Sequence, residues 1–286
     1  MLKYLIISMR PKQWYKNILL FVGIVFSANV LNASMWLDVV LAFVFFCLLS
    51  SGEYLINDVI DRAGDRRHPL KRHRPIASGK LKVSYALLFA SILMAVALLG
   101  SYLAINPQFF MLSASYVLLV LLYSLVVKHL VIADVLIISF GFVLRAVAGC
   151  VAIGIFISPW LIVGTLLLAL LLVFGKRRSE LASLGGRAPA RITSLSSYSV
   201  EMLDQLLSIT TGAAIVSYLI YTFFAGNYYM MLTAPSVIYG LFRYLFLIHQ
   251  ENIGGELERI FKDKPTLINL AIWVLLVVIV LYKFTA

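Results

Sequence analysis

Charge is what this sequence has least of. Asp, Glu, Lys and Arg make up 13% of the 286 residues, against 62% apolar ones, and mean hydropathy is +0.96. A soluble domain carries about a quarter charged residues, so water cannot be the main solvent of this chain. No polar block or linker long enough to fold separately interrupts it, and the reading is one membrane domain over residues 1–286. Cysteine is scarce too. Cys47 and Cys150 lie inside apolar runs and read as small packing residues rather than a disulfide or a thiolate metal site. His68, His73, His129 and His249 fit no zinc spacing. Leu2–Met9 is a short apolar run closed by Arg10 without a small-residue cleavage site, so no signal peptide is expected.

What is abundant is apolar runs near the length of a membrane crossing, about 20 residues as a helix. Nine appear: Asn17–Val30, Trp36–Ile56, Ser84–Ile105, Phe109–Val127, Ala133–Ile153, Pro159–Phe174, Leu206–Phe224, Pro235–His249 and Leu267–Tyr282. Their length and lack of alternation predict helices rather than strands, hence an all-α bundle of nine transmembrane helices. The odd-numbered loops, Ser27–Met35, Asn106–Gln108, Gly154–Ser158 and Ala225–Ala234, contain no Lys, Arg, Asp or Glu. The even loops and the N-terminus are polar and basic. By the positive-inside rule the N-terminus and the charged loops face the cytoplasm and the C-terminus lies outside.

The richest of the inner loops begins "LINDVIDRAGDRRHPLKRHRPIASGK", Leu55–Lys80. Asp58, Asp61 and Asp65 are spaced to share one face of a helix. Three like charges there repel one another unless a cation lies between them. Carboxylates without His or Cys suit Mg²⁺, with Mn²⁺ as an alternative, bridging to substrate phosphates. The competing reading is a solvated helix end, although acids at a helix C-terminus oppose the macrodipole. Arg66, Arg67, Lys71, Arg72 and Arg74 supply cations for phosphates, though a basic inner loop also serves topology and anionic membrane lipids. A sequence pI near 9.7 would suit nucleic acid, but the basic residues are split among short loops without a stacking platform or a binding motif, so nucleic acid is not an expected partner.

Further candidates lie elsewhere. Asp134, Gly141, Arg145 and Gly149 fall near one helical face, and an intramembrane Arg marks a site unless it belongs to a structural ion pair. Arg243 is close enough to its helix end to snorkel. Lys128, Lys176, Arg177 and Arg178 end apolar runs on the basic side, where cations suit both the helix dipole and topology.

The block "NDVIDRAGDRRHPLKRHRPIASG", Asn57–Gly79, resembles the first aspartate-rich motif of the UbiA superfamily of intramembrane prenyltransferases. The resemblance implies a nine-helix fold, a cytoplasm-facing site and Mg²⁺-bound diphosphate. Members that prenylate aromatic rings carry a second DxxxD-type acid pair after helix 4, where this chain has "YSLVVKHLVIAD", with Lys128 and a lone Asp134. That departure, with "RPKQWYKN", "GFVLRAVAG", "GKRRSEL" and "YGLFRYLFLIHQENIGGE", is similar to the branch of decaprenyl-phosphate phosphoribosyltransferases. This implies a phosphoribosyl diphosphate donor, a polyprenyl phosphate acceptor and a role in cell-envelope glycan synthesis at a bacterial inner membrane. Homo-oligomers are compatible with it.

On this reading Asp58, Asp61 and Asp65 hold metal, with Asp58, Asp61 and Lys128 at the chemistry. Asn57, Lys71 and Arg74 address the donor. Lys12 and Lys16, at the membrane surface, together with Asp134, Arg145, Lys176 and Arg177, complete the substrate contacts. Two other readings stay open at this point, an aromatic prenyltransferase and a non-enzymatic lipid-binding or transport protein.

Overall fold

The computed structural model describes residues 1–27, 29–68, 71–185, 195–224, 227–251 and 262–283, and among them all regular structure is helical. In chain order the α-helices are α1 (Leu2–Met9), α2 (Val22–Phe26), α3 (Ala33–Ile60), α4 (Arg62–Arg67), α5 (Val83–Gly100), α6 (Pro107–Leu125), α7 (Ala133–Ala152), α8 (Pro159–Ser183), α9 (Val200–Phe224), α10 (Ala234–Glu251) and α11 (Lys264–Lys283). Eight of the described helical segments are long and apolar enough to cross a membrane, which makes this a multi-pass membrane protein.

The first of the nine apolar runs differs from expectation. It is not one long α-helix but a 3₁₀ helix, Pro11–Phe21, running into the short α2. Pro11 starts it, after Arg10 at φ 52°. Its three-residue period puts Trp14, Asn17 and Leu20 on one face, and Asn17 and Leu20 are buried. A rise of about 2.0 Å per residue over the 3₁₀ part and about 1.5 Å over α2 gives roughly 30 Å in all. The tighter helix thus gives sixteen residues the length that about 20 would need as an α-helix.

Every charge-free loop ends in a neutral cap. Asn32 accepts the amides of Ser34 and Met35 at the start of α3, Asn106 accepts that of Phe109 in α6, and Ser158 accepts that of Trp160 in α8. Asn227 does the same for Tyr229 in the 3₁₀ turn leading into α10. Caps satisfy amides that the first helical turn leaves open, and uncharged caps do so without placing an ion on that side.

The chain forms two compact units, residues 1–127 with 141–157, and residues 128–140 with 158–286. In the first, α3 packs chiefly against α5 and the 3₁₀ segment, around a core that includes Leu20, Ile24, Phe46, Phe109 and Tyr116. A smaller core of Leu5, Leu55, Ile76, Leu81, Ala86 and Ala90 lies with the residues that follow the acid cluster. Gly149 permits the closest approach, since a Cβ there would lie 2.0 Å from the Leu20 carbonyl oxygen. In the second unit α8 packs on α9 and α10 on α11, over a core that includes Val135, Leu171, Leu181, Leu203, Leu207 and Ile248.

Candidate active site

In the first unit the end of α3 carries Asp58, 2% exposed, and the turn into α4 brings back Asp65, 4% exposed. The turn is made at Asp61, which leaves the helix at φ −82°, ψ −1° and accepts the Asp65 amide at 2.9 Å. Two arginines neutralise the buried pair. Arg74 Nη1 lies 2.7 Å from Asp65 Oδ2 and 3.1 Å from Asp58 Oδ1, while Arg10 Nη2 meets Asp58 Oδ1 at 2.5 Å. The guanidinium of Arg10 also sits 4.8 Å from the centre of the Tyr54 ring.

The "RPIASG" segment positions Arg74. Ile76 and Ala77 are buried, Arg66 Nε donates to the Ala77 carbonyl at 3.0 Å, and Gly79 turns the chain at φ 80°. Lys71 is exposed, and its amide donates to His68 Nδ1 at 3.3 Å. Partial burial holds the His68 imidazole below its ordinary pKa, with the Lys71 charge acting in the same direction. Asn57 and Asp61 are half-buried, Lys12 is exposed and Lys16 half-exposed on the 3₁₀ helix.

Deeper in this unit Arg145, 6% exposed, is held on every side. Its Nε donates to Asn17 Oδ1 and its Nη1 to the Gly141 carbonyl, both at 2.8 Å, and its Nη2 donates to the Tyr116 hydroxyl. The guanidinium stacks over the Tyr116 and Phe142 rings. All three hydrogen-bond acceptors are uncharged. Glu53, 5% exposed, lies beside the Tyr116 hydroxyl and within electrostatic reach of Arg145. Sequence reading missed Glu53, although its signal was present: Glu53, Asn57, Asp61 and Asp65 recur every four residues, the interval of one helical stripe.

In the second unit the lone acid of "YSLVVKHLVIAD" is fully buried. Asp134 accepts from Arg177 Nη2 at 2.9 Å and from the Tyr198 hydroxyl at 3.1 Å. That hydroxyl in turn accepts the amide of Ile132, a β-branched residue at φ 69°, at 2.7 Å. Burial foremost, with the Asp134 charge beside it, pushes the Tyr198 phenol up to about 12. Asp134 and Arg177 are therefore brought together with each other.

Lys128 lies on the 3₁₀ turn Val127–His129, just before this cluster. Lys176 is exposed and 3.7 Å from Glu180. Arg178 pairs with Asp204, which also meets His249. Rather than snorkelling alone, Arg243 holds Asp263 through two bonds of 2.7 and 3.1 Å. That contact, first among the causes, keeps the Asp263 carboxyl well below its usual range.

Whether the acid cluster suits a divalent cation turns on its donors. Among the described residues no three His, Cys, Asp or Glu side chains already converge as a metal site. What is present is a pair of buried carboxylates whose charge is met by guanidinium groups. Hard oxygen donors without nitrogen or sulfur fit Mg²⁺, and burial makes a cation obligatory for them. The donor set fits; the third carboxylate, Asp61, stands at the bend between the two.

The sequence and the fold both have counterparts. Residues 18–262 match the model of the UbiA prenyltransferase family. The chain is 34% identical to the decaprenyl-phosphate phosphoribosyltransferase of Corynebacterium glutamicum, over 96% of this chain and 86% of that protein. It is 33% identical to the protein of the same name from Mycolicibacterium smegmatis, over 94% and 90%. Among solved structures, a UbiA homologue from Archaeoglobus fulgidus bound to GPP and Mg²⁺ superposes with a TM-score of 0.74 at 21% identity, covering 97% of this chain and 99% of that one. An all-helical fold, an NDxxDxxxD cluster on the end of α3 and a family match running through both units lead to one assignment: this chain belongs to the UbiA prenyltransferase family.

Proposed function

We propose that the protein transfers 5-phosphoribose from phosphoribosyl diphosphate to the phosphate of a polyprenyl phosphate, releasing diphosphate. The observation that carries this reading is the asymmetry between the two aspartate positions. One offers three acids, two of them buried against Arg10 and Arg74; the other offers a single acid, Asp134, buried against Arg177. One metal-bound diphosphate and one plain phosphate need just such a pair of sites, whereas a chain built for a prenyl diphosphate between two acid motifs would carry a second cluster. The names of the relatives that match nearly the whole chain support the same choice.

Asp58, Asp61 and Asp65 would hold Mg²⁺ or Mn²⁺, which when bound neutralises the donor diphosphate and stabilises it as a leaving group. Arg74 and Lys71 bind the donor's phosphate oxygens, and Asn57 orients the diphosphate from the preceding helical turn. Arg74 is already between two carboxylates, so it neutralises charge whether or not substrate is present. The acceptor phosphate is anionic and attacks ribose C1 without a general base. Lys128 and Arg177 hold that phosphate at the entry to α7, with Lys176 beside them. Lys12 and Lys16 meet phosphate at the membrane surface. Arg145 keeps the polar interior of the first unit in register rather than reaching a phosphate itself.

The 3₁₀ segment, at roughly 30 Å with α2, serves as a ninth crossing. The charge-free, neutrally capped loops then lie outside, and the acid cluster opens to the cytoplasmic face of a bacterial inner membrane, where the lipid-linked pentose enters envelope glycan synthesis. The family match across residues 18–262 supports a single functional domain. The test of the metal assignment is the double variant Asp61→Ala with Asp65→Ala. Transfer should fall at least a hundredfold, and Mg²⁺ should no longer raise the unfolding temperature. Undiminished transfer by the double variant would sink the assignment.

A further inference from the structure

Six buried side-chain atoms among the described residues have no hydrogen-bond partner, and one of them is a carboxylate oxygen, Oε1 of Glu53. An unmet carboxylate oxygen in a buried site is costly, and such groups persist where a ligand or water completes them. The remainder of Glu53 has evident surroundings: it lies beside Tyr116 and near Arg145, whose own hydrogen bonds go to neutral acceptors. Oε1 is surplus to these contacts.

Its position relative to the acid cluster narrows the ligand. Glu53 precedes Asn57 by one helical turn on the same stripe of the uninterrupted α3, about 6 Å along the axis towards the middle of the membrane. Whatever is joined to a diphosphate oriented by Asn57 therefore begins about where Glu53 stands. In a prenyl donor that part is hydrocarbon, which would leave the carboxylate oxygen unmet and desolvated. In a glycosyl donor it is a ring bearing hydroxyl groups, each able to donate to a carboxylate.

We infer that Glu53 is a specificity residue whose Oε1 accepts a hydrogen bond from a pentose hydroxyl of the donor. The inference rests on the phosphoribosyl-transfer reading and adds to it a residue that selects a hydroxylated over a hydrocarbon donor. A site built around a substrate hydroxyl rejects analogues that lack it, because its buried polar group is then left unpaired.

The test uses the full-length protein in lipid nanodiscs, with phosphoribosyl diphosphate and its 2-deoxy and 3-deoxy analogues, for the unmodified protein, Glu53→Gln and Glu53→Met. Unmodified protein should lose about tenfold to a hundredfold in kcat/KM on one deoxy donor, as expected when a buried polar group is left without its hydrogen-bond partner. Glu53→Met should lose a similar factor on the full donor and nothing further on that deoxy analogue. Glu53→Gln, which keeps an acceptor of the same shape, should lose several-fold on the full donor alone, and it carries the comparison if the Met variant does not fold.

Equal losses on all donors, together with a lowered unfolding temperature, would mean that Glu53 only packs beside Tyr116 and Arg145, and would overturn the inference. So would equal use of all three donors by the unmodified protein. In both cases ribose transfer itself continues, so the wider reading stands. Absence of ribose transfer by unmodified protein is the separate result that removes that reading.

Discussion

Arg74 and Asp65 are joined at 2.7 Å, and the same nitrogen of Arg74 also reaches Asp58 at 3.1 Å. One guanidinium thus sits where two buried carboxylates need a cation, nine and sixteen residues away in the chain. Removing it in Arg74→Ala leaves Asp65 short of its partner. A fully enclosed pair broken this way costs about 3–5 kcal/mol; Arg74 keeps 26% of its side-chain surface exposed, so about 2 kcal/mol is expected. Mg²⁺ should restore part of that loss, giving a larger thermal shift in Arg74→Ala than in the unmodified protein. Equal Mg²⁺ shifts in the two would show that the cation does not go to these carboxylates.

Gly149 is the contact that lets the 3₁₀ helix lie against α7. A Cβ there would meet the Leu20 carbonyl oxygen at 2.0 Å, and that oxygen belongs to backbone. Gly149→Ala must push the two segments apart, at about 3 kcal/mol or more for overpacking a rigid contact. Because Arg145 lies one turn earlier on α7 and bonds Asn17 of the same 3₁₀ helix at 2.8 Å, transfer activity should fall with stability. An unfolding midpoint unchanged by the substitution would contradict this packing.

Tyr198 holds Ile132 in a left-handed conformation while donating to Asp134. Tyr198→Phe removes both bonds, takes the hydroxyl partner from the buried Asp134 and costs about 1 kcal/mol. Lys128 precedes Ile132 by four residues, so the loosened turn should raise KM for the lipid phosphate by several-fold and leave KM for the sugar donor alone. Steady-state kinetics with each substrate varied in turn would decide, and a matching rise for both substrates would count against the assignment of Lys128 to the acceptor.

Acid should expose the role of Asp263. Its folded pKa lies below the ordinary 3.8 because Arg243 and Thr266 hold the ionised form. The stabilisation is therefore complete above about pH 4 and is lost as pH falls through the folded value. Asp263→Asn should lower stability at pH 7, and the gap from the unmodified protein should narrow as pH falls below about 4. Unfolding curves between pH 7 and pH 3 measure it, and a gap constant with pH would rule out this linkage.

Much of this architecture was legible from the chain because the bilayer allows few solutions. Eight of the nine apolar runs correspond to helical segments long enough to cross, since length and missing charge leave a chain no alternative to a helix in lipid. The acids fall differently from the single helical face their spacing predicts, because α3 ends at Asp61 and α4 carries Asp65 back to Asp58, where Arg74 lies between the two.

The partners were not legible. Arg10 meets Asp58 across 48 residues and Arg177 meets Asp134 across 43, and nothing in local spacing distinguishes those arginines from neighbours that serve topology. Glu53 was overlooked because it sits inside an apolar run rather than in the charged block. The 3₁₀ helix was missed because its three-residue period is too short a pattern to stand out among polar residues.

The central claim is the identity of the transferred group, and one measurement tests it directly. Purified full-length protein is given phosphoribosyl diphosphate labelled in the ribose, a polyprenyl phosphate and Mg²⁺, with a parallel reaction of prenyl diphosphate and 4-hydroxybenzoate. The account predicts ribose label in the lipid phase, released diphosphate in equal amount and no prenylated aromatic product. A prenylated aromatic product with no label in the lipid would contradict it.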